Sequence, residues 1–171
     1  MEAMEAILTR RSIRSYSDKP VSARQVESML RAAMAAPSAG NQQPWEFVVI
    51  EDRSMLEAIP TAHPHAQMAA DAPLAIVVCG DKEREKHAGF WVQDCAAAVQ
   101  NLLLAAHACG LGAVWCGIHP SEGRAEGFRE LLSIPEHIIP LALLVVGHPN
   151  EKKPAADRFD PGRVHRDRWV S

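Results

Sequence analysis

The segment that most constrains this chain covers residues 90–109. Its apolar residues recur every three or four positions, which predicts a helix with a long buried face: Val92, Cys95, Ala96, Val99, Leu102, Leu103 and Ala106. Gly110 follows directly, where a helix commonly ends on a left-handed residue. Because the helix is rich in alanine, other elements can pack closely against it. We therefore expect either a central helix or a dimer interface.

Shorter predicted elements alternate around this helix. Apolar spacing and cap signals predict helices over 2–9, 23–36, 54–59 and 122–132, and strands over 45–50, 75–79, 113–116 and 139–146. Ser22 and Gln25 have the spacing of a capping box. The apolar run 47–50 predicts a first strand that is buried on both faces. The fold class we expect is α+β, or a three-layer α/β arrangement, with a central mixed β-sheet flanked by helices.

Composition restricts the class of protein. The 171 residues predict a single domain over 1–171, and 18 Lys+Arg against 21 Asp+Glu give a formal charge of −3, without the basic surplus typical of nucleic-acid binding. The apolar runs are too short to cross a membrane. Four scattered cysteines without a CxxC motif favour reduced core thiols, and together with the acidic, leader-free start they predict a cytoplasmic location. Residues 148–171 turn polar but contain Trp169, which predicts a docking tail.

Three stretches carry groups that suit a ligand. In the first, an extended backbone would place Arg10, Ser12 and Arg14 on one side. Two guanidinium groups and a hydroxyl suit a phosphate, which needs several charge-assisted donors. The alternative is a solvated helix end, where cations are favoured by the helix dipole.

The second stretch covers residues 37–45 and offers a hydroxyl and three side-chain amides just before a strand. Such a loop can hydrogen-bond a planar heterocycle, although an ordinary turn remains the alternative. The third covers residues 110–117, where a glycine at 117 would let the backbone approach a flat ligand. Its alternative is simple core packing of Trp115 and Cys116.

Other chemistry has little support in the sequence. The histidines lack zinc-site spacing, and there is no HExxH, GxSxG, GxGxxG or Walker motif. We therefore predict no metal site and no catalytic side chain. Groups that hold a ligand, without an obvious acid, base or nucleophile, favour an enzyme whose cofactor supplies the reactivity.

Taken together, these stretches resemble the nitroreductase family of flavin enzymes. Residues 10–14 (RRSIR) resemble its RRSxR signature, and residues 37–45 (PSAGNQQPW) resemble its PSxxNxQPW loop. Segments 63–73, 91–101, 110–117, 157–158 and 164–169 resemble a short-chain branch of the family. The resemblance runs in order along essentially the whole chain.

The resemblance implies an intertwined homodimer with FMN sites at the interface. Arg10, Ser12 and Arg14, helped by Arg11 and Arg158, would hold the phosphate. Loop residues from the other subunit would contact the flavin: Pro37, Ser38, Ala39 and Asn41. Main chain near the end of the third stretch would face the ring: Trp115, Cys116, Gly117 and Ile118. His65 would touch the pyrimidine end.

The activity implied is an FMN-dependent NAD(P)H oxidoreductase with ping-pong kinetics. NADH or NADPH would donate, and a nitroaromatic, quinone or flavin-type acceptor would follow in the same pocket. The chain lacks the extra helices of longer members, so its flavin should be more open. The alternatives are a non-catalytic flavin carrier or sensor, and an enzyme that consumes flavin by ring fragmentation.

Overall fold

A computed structural model describes residues 1–169. The five α-helices of this part are α1 (Ala3–Thr9), α2 (Ala23–Met34), α3 (Arg53–Ala62), α4 (Trp91–Ala108) and α5 (Glu122–Leu132). Its four strands are β1 (Trp45–Ile50), β2 (Leu74–Asp81), β3 (Gly112–Gly117) and β4 (Ile138–Gly147). Short 3₁₀ turns at Ala39–Asn41, Gln67–Asp71 and Pro161–Arg163 complete the elements. Each predicted helix and strand is present, with ends that differ by three residues or fewer.

The four strands form one sheet in the order β1-β2-β4-β3, and every pairing between them is antiparallel. We expected a sheet with both parallel and antiparallel pairs, but the only parallel pairing in residues 1–169 is one isolated bridge between Ser12 and Ala113. A helix between two strands is typical of a parallel crossover. Here, however, the α3 excursion returns to the same end of the sheet, because Ile50 pairs with Ala75.

Helices cover both faces of the sheet, so the fold has the three layers that were expected. Side chains of β2 alternate between two cores: Leu74, Ile76 and Val78 pack with α2 and α4, whereas Ala75, Val77 and Cys79 pack with α3 and α5. This is why β2 and β4 are apolar along almost their whole length. In contrast, β1 lies at an edge and leaves Val49 38% exposed, so the prediction that it is buried on both faces is wrong.

Local signals set the ends of the helices. Ser22 and Gln25 form the predicted reciprocal capping box at the start of α2. Gly110, which follows the C-cap residue Cys109 of α4, has φ +74°, as the C-terminal signal predicted. The apolar spacing of α2 also predicts a buried Met34, but this last residue of the helix is 52% exposed.

The two ends of the chain meet beside β3. Ser12 bridges to Ala113, and Tyr16 bridges to Pro149. Glu151 accepts a hydrogen bond from the Arg14 N–H at 2.6 Å, and Lys153 donates to the Ser12 carbonyl at 2.8 Å. The first part of the C-terminal tail therefore fixes the arginine-rich segment along the sheet edge. Residues 152–169 are exposed.

Candidate functional site

The arginine-rich segment 10–14 is extended, as predicted. It follows α1 and lies against β3 through the Ser12–Ala113 bridge. Gly112 permits this close approach, since a Cβ at this position would lie 2.7 Å from Ile13 Cβ and Cγ2. Ile13 is buried, while Arg14 is exposed on the neighbouring position. The alternation therefore turns Arg14 away from the side that Ile13 buries.

Three guanidinium groups converge at this edge of the molecule. The pKa of Arg10 is lowered, first by partial burial and then by the positive charges of Arg11 and Arg158. A cavity of about 220 Å³ is lined by all three of these arginines, together with residues of α1 and the tail. A second cavity of about 240 Å³ includes Arg10, Arg11 and Lys152 among its lining residues. Concentrated positive charge of this kind favours an anion.

Arg11 has an unused donor. Its Nε donates to the Pro154 carbonyl at 2.7 Å and its Nη1 to the Arg10 carbonyl at 2.5 Å. Its Nη2 is buried and has no hydrogen-bond partner within residues 1–169. An unsatisfied buried donor costs free energy, so this group is ready to bind a ligand oxygen.

The end of β3 lies near the same segment. Burial raises the pKa of the Cys116 thiol, and the nearby charges of Arg14 and Arg124 only partly oppose this effect. Trp115 is 38% exposed on this edge strand, so it is not packed wholly in the core. Ile118 is fully buried, and its N–H donates to the Leu141 carbonyl at 3.0 Å. The Ile118 N–H is therefore already engaged.

Gly117 combines open space with a fixed carbonyl. A Cβ at this position would meet no described atom within 4 Å. Its carbonyl oxygen accepts hydrogen bonds from His63 Nε2 at 2.9 Å and from Arg124 Nη1 at 2.9 Å. The backbone here is both accessible and rigid, as contact with a flat ligand requires.

The sequence did not single out His63 or Arg124. His63 is 1% exposed, and burial lowers its pKa, so the neutral imidazole is favoured. Its Nε2 carries the ring proton, because the Gly117 carbonyl oxygen accepts the hydrogen bond from this atom. His65, which was predicted at the site, is exposed, with its ring 6.1 Å from that of His63. No local pattern could have distinguished the two, because their roles depend on the distant Gly117.

The loop over residues 37–41 shares no hydrogen bond with residues 10–14 within the described chain. It lies at the first turn of α4, whereas Thr9, just before the arginines, contacts His107 in the last turn of α4. Pro37 and Asn41 are exposed, and the Ser38 hydroxyl accepts from the Gln43 N–H at 3.0 Å. The Ala39 N–H donates to Asp94 on α4 at 2.9 Å. One subunit thus brings two of the three predicted stretches together and leaves the third apart.

One group of potential metal ligands lies outside these stretches. Ligand atoms of Asp81, Glu83 and His137 lie within 4.8 Å of one another. Both Asp81 oxygens already accept hydrogen bonds, from the Glu83 N–H and from Arg84. We assign no metal to this group. Separately, none of the helices over residues 1–169 is long and apolar enough to span a bilayer.

Comparison with known proteins places the chain among flavin-type reductases. Residues 7–148 match the model of the Nitroreductase family. A Methanothermobacter thermautotrophicus protein, provisionally named NADH dehydrogenase/NAD(P)H nitroreductase, is 53% identical over 169 residues, covering 99% of this chain and 88% of the relative.

Solved structures agree with this match. A Parabacteroides distasonis protein with the same provisional name superposes with a TM-score of 0.93 at 42% identity, covering 97% of this chain and 98% of that one. A Desulfovibrio desulfuricans protein, provisionally named a nitroreductase and solved in complex with FMN, has a TM-score of 0.84 at 32% identity, covering 98% and 97%. The predicted fold and family are therefore confirmed: this chain belongs to the Nitroreductase family.

Proposed function

We propose that this protein is an FMN-dependent NAD(P)H oxidoreductase that works as a homodimer. The observation that carries the proposal is the convergence of Arg10, Arg11 and Arg158 beside the edge strand β3, whose last residue, Gly117, has open space beside its backbone. The name of the Methanothermobacter relative supports NAD(P)H as the donor, and the Desulfovibrio complex supports FMN as the cofactor.

The residues present fit a flavin mononucleotide. A terminal phosphate carries negative charge and several acceptor oxygens, which match the arginine cluster and the unpartnered Arg11 Nη2. The open space at Gly117 suits a planar ring at the main chain. Bound flavin supplies the hydride-transfer chemistry.

The chain's own residues bind and orient in this mechanism. Arg10, Ser12 and Arg14, with Arg11 and Arg158, hold the phosphate, and the rigid Gly117 main chain supports the ring. Donor and acceptor use the same open pocket in turn, in ping-pong order. Nitroaromatic, quinone and flavin-type compounds are the acceptor classes we propose. We also propose that residues 1–171 form a single domain, with 148–171 as the docking tail.

We also propose a cytoplasmic location. The four cysteines are free thiols, and Cys79, Cys95 and Cys116 are buried. Free buried thiols fit a reducing compartment.

The test of the phosphate assignment is Arg14→Ala. We expect it to weaken FMN about tenfold to a hundredfold, because a charge-assisted hydrogen bond is lost. Riboflavin, which lacks the phosphate, should bind the variant and the wild type equally. Flavin fluorescence titration measures both, with Arg24→Ala on α2 as an exposed-arginine control. Wild-type protein that binds riboflavin as tightly as FMN would refute the assignment.

A further inference from the structure

The loop over residues 37–43 has a strained backbone. Gly40, Asn41 and Gln43 have φ values of +54°, +53° and +47°. Left-handed conformations cost free energy for residues other than glycine, so they persist only where the surroundings enforce them. Hydrogen bonds within the loop, such as that from the Gln43 N–H to the Ser38 hydroxyl, support this shape, and contacts from outside the loop add to them.

Asp94 is placed to do this. It lies in the first turn of α4, is 6% exposed, and uses both carboxylate oxygens. Oδ1 accepts from the Ala39 N–H at 2.9 Å, and Oδ2 accepts from Gln42 Nε2 at 2.6 Å. One buried carboxylate thus ties two points of the loop to the central helix.

Gln42 extends the network to a third segment. Its side chain is also buried, at 5% exposure. Its Oε1 accepts from the backbone N–H groups of Lys86 at 2.8 Å and His87 at 3.0 Å. Every donor therefore faces an acceptor, and the network needs one carboxylate and one amide at positions 42 and 94 to be satisfied in this way.

We propose that Asp94, acting through Ala39 and Gln42, is a positioning residue that holds the 37–41 loop in its flavin-contacting shape. This inference rests on the proposed function. In this inference Asp94 acts without contacting the flavin, and the Gln42 side chain supports the loop instead of binding the flavin.

The network predicts a specific test by exchange of donor and acceptor. In Asp94→Asn, the amide at 94 can still accept from Ala39, but its NH₂ group faces the NH₂ group of Gln42. Flipping the Gln42 side-chain amide would only place its NH₂ group against the backbone N–H groups of Lys86 and His87. In the double variant Asp94→Asn/Gln42→Glu, the new amide donates to the new carboxylate, which still accepts from Lys86 and His87. The double variant therefore restores every hydrogen bond at unchanged net charge.

The measurement is the dissociation constant for FMN and for riboflavin in wild type, both variants and Asn101→Ala. The Asn101 side chain also projects from α4 and donates to the Ala32 carbonyl at 3.0 Å, away from the loop, so it controls for general destabilisation. We expect Asp94→Asn to weaken both flavins by the same factor, about tenfold to a hundredfold. The double variant should recover most of this loss, and Asn101→Ala should bind as the wild type does.

Equal weakening of both flavins distinguishes the loop from the phosphate site, where only FMN is affected. Wild type that binds neither flavin would refute the proposed function itself. A folded Asp94→Asn protein with wild-type affinity, or a double variant as weak as the single one, would overturn the positioning role. Amide hydrogen exchange over 39–43, faster in the single variant and restored in the double, reports on the loop independently of flavin. If the single variant does not fold, a folded double variant that binds both flavins supports the positioning role, and a double variant that folds but binds neither overturns it.

Discussion

Single residues at the end of β3 take their roles from contacts made far along the chain. The Gly117 carbonyl is fixed by His63 from the end of α3 and by Arg124 from α5. The Cys116 thiol beside it is buried and has a raised pKa, so the neutral form is favoured over the thiolate. The site therefore offers a rigid main chain instead of a nucleophile.

Cys116→Ser should keep NAD(P)H-dependent flavin reduction within about an order of magnitude of wild type, because no thiolate chemistry is required. A modest loss of stability should follow from the buried hydroxyl. Anaerobic stopped-flow reduction of fully FMN-loaded protein measures the rate. A loaded variant that NAD(P)H cannot reduce would make the thiol a catalytic group.

Gly117→Val should do more damage to flavin binding than to the fold. A Cβ at 117 meets open space, so the protein without flavin should unfold much as the wild type does. The branched side chain would occupy the space that we assign to the ring. FMN titration and thermal unfolding of both states test this, with Gly123→Ala at another open glycine as the control. Unchanged FMN affinity would place the ring elsewhere.

The buried His63 should make stability depend on pH in a defined direction. Its pKa is lowered in the folded state, chiefly by burial, so as the pH falls the unfolded chain takes up the proton first. Its contribution is fully present above about pH 6.5 and is lost as the pH falls from there through the lower folded value. In His63→Gln the neutral amide can still donate to Gly117. Urea unfolding between pH 7.5 and 5 should therefore show a smaller loss for the variant, and identical losses would contradict the assignment.

At the scale of elements, the approach of the N-terminal segment to β3 positions the arginines. Ile13 packs where a Cβ at Gly112 would lie, and tail residues 151–154 fix the outer side of the segment. The helices were predictable because capping and apolar spacing are local signals. The contact between segment 10–14 and β3 was not predictable, since it joins residues about one hundred positions apart.

Gly112→Ala should displace segment 10–14 and weaken FMN as well as the fold. Overpacking against Ile13 should cost about 1–3 kcal/mol of unfolding free energy. Gly110→Ala is the matched control, because its φ of +74° also disfavours alanine but the space around it is open. It should cost about 1–2 kcal/mol without changing FMN affinity. Equal FMN affinities in the two variants would show that the contact between β3 and segment 10–14 does not position the arginines.

At the scale of the whole molecule, apolar surface is concentrated at the two ends of the chain. Met4, Ile7 and Leu8 of α1 are 63%, 50% and 58% exposed, and Phe159 and Trp169 of the tail are both 79% exposed. Trp169 stacks on His165 with ring centroids 4.1 Å apart, and otherwise remains accessible. Large exposed apolar patches mark interaction sites. In addition, the 37–41 loop does not meet the arginine-rich segment 10–14 within one subunit.

Light scattering should therefore find a dimer, with about twice the 18.7 kDa mass of one chain. Met4→Glu, on α1 but outside the arginine-lined cavity, should shift the protein toward monomer and weaken FMN with it, because the proposed site takes the 37–41 loop from the partner. Met55→Glu, at a residue 42% exposed on α3, is the control and should change neither property. A stable monomer that retains FMN would contradict the shared site.

The sequence by itself determined the local structure and the family. Capping residues, apolar spacing and left-handed glycines act within a few positions, which is why α5 has its predicted bounds at Glu122–Leu132. The ordered motifs of arginines, loop amides and the β3 glycine also identified the nitroreductases. Only the tertiary structure decided the antiparallel order of the strands and the partners of the buried polar groups. Asp94 meets Gln42 across 52 positions, and His63 meets Gly117 across 54. Such pairs leave no periodic signal, because the fold creates the buried environment that makes each hydrogen bond necessary.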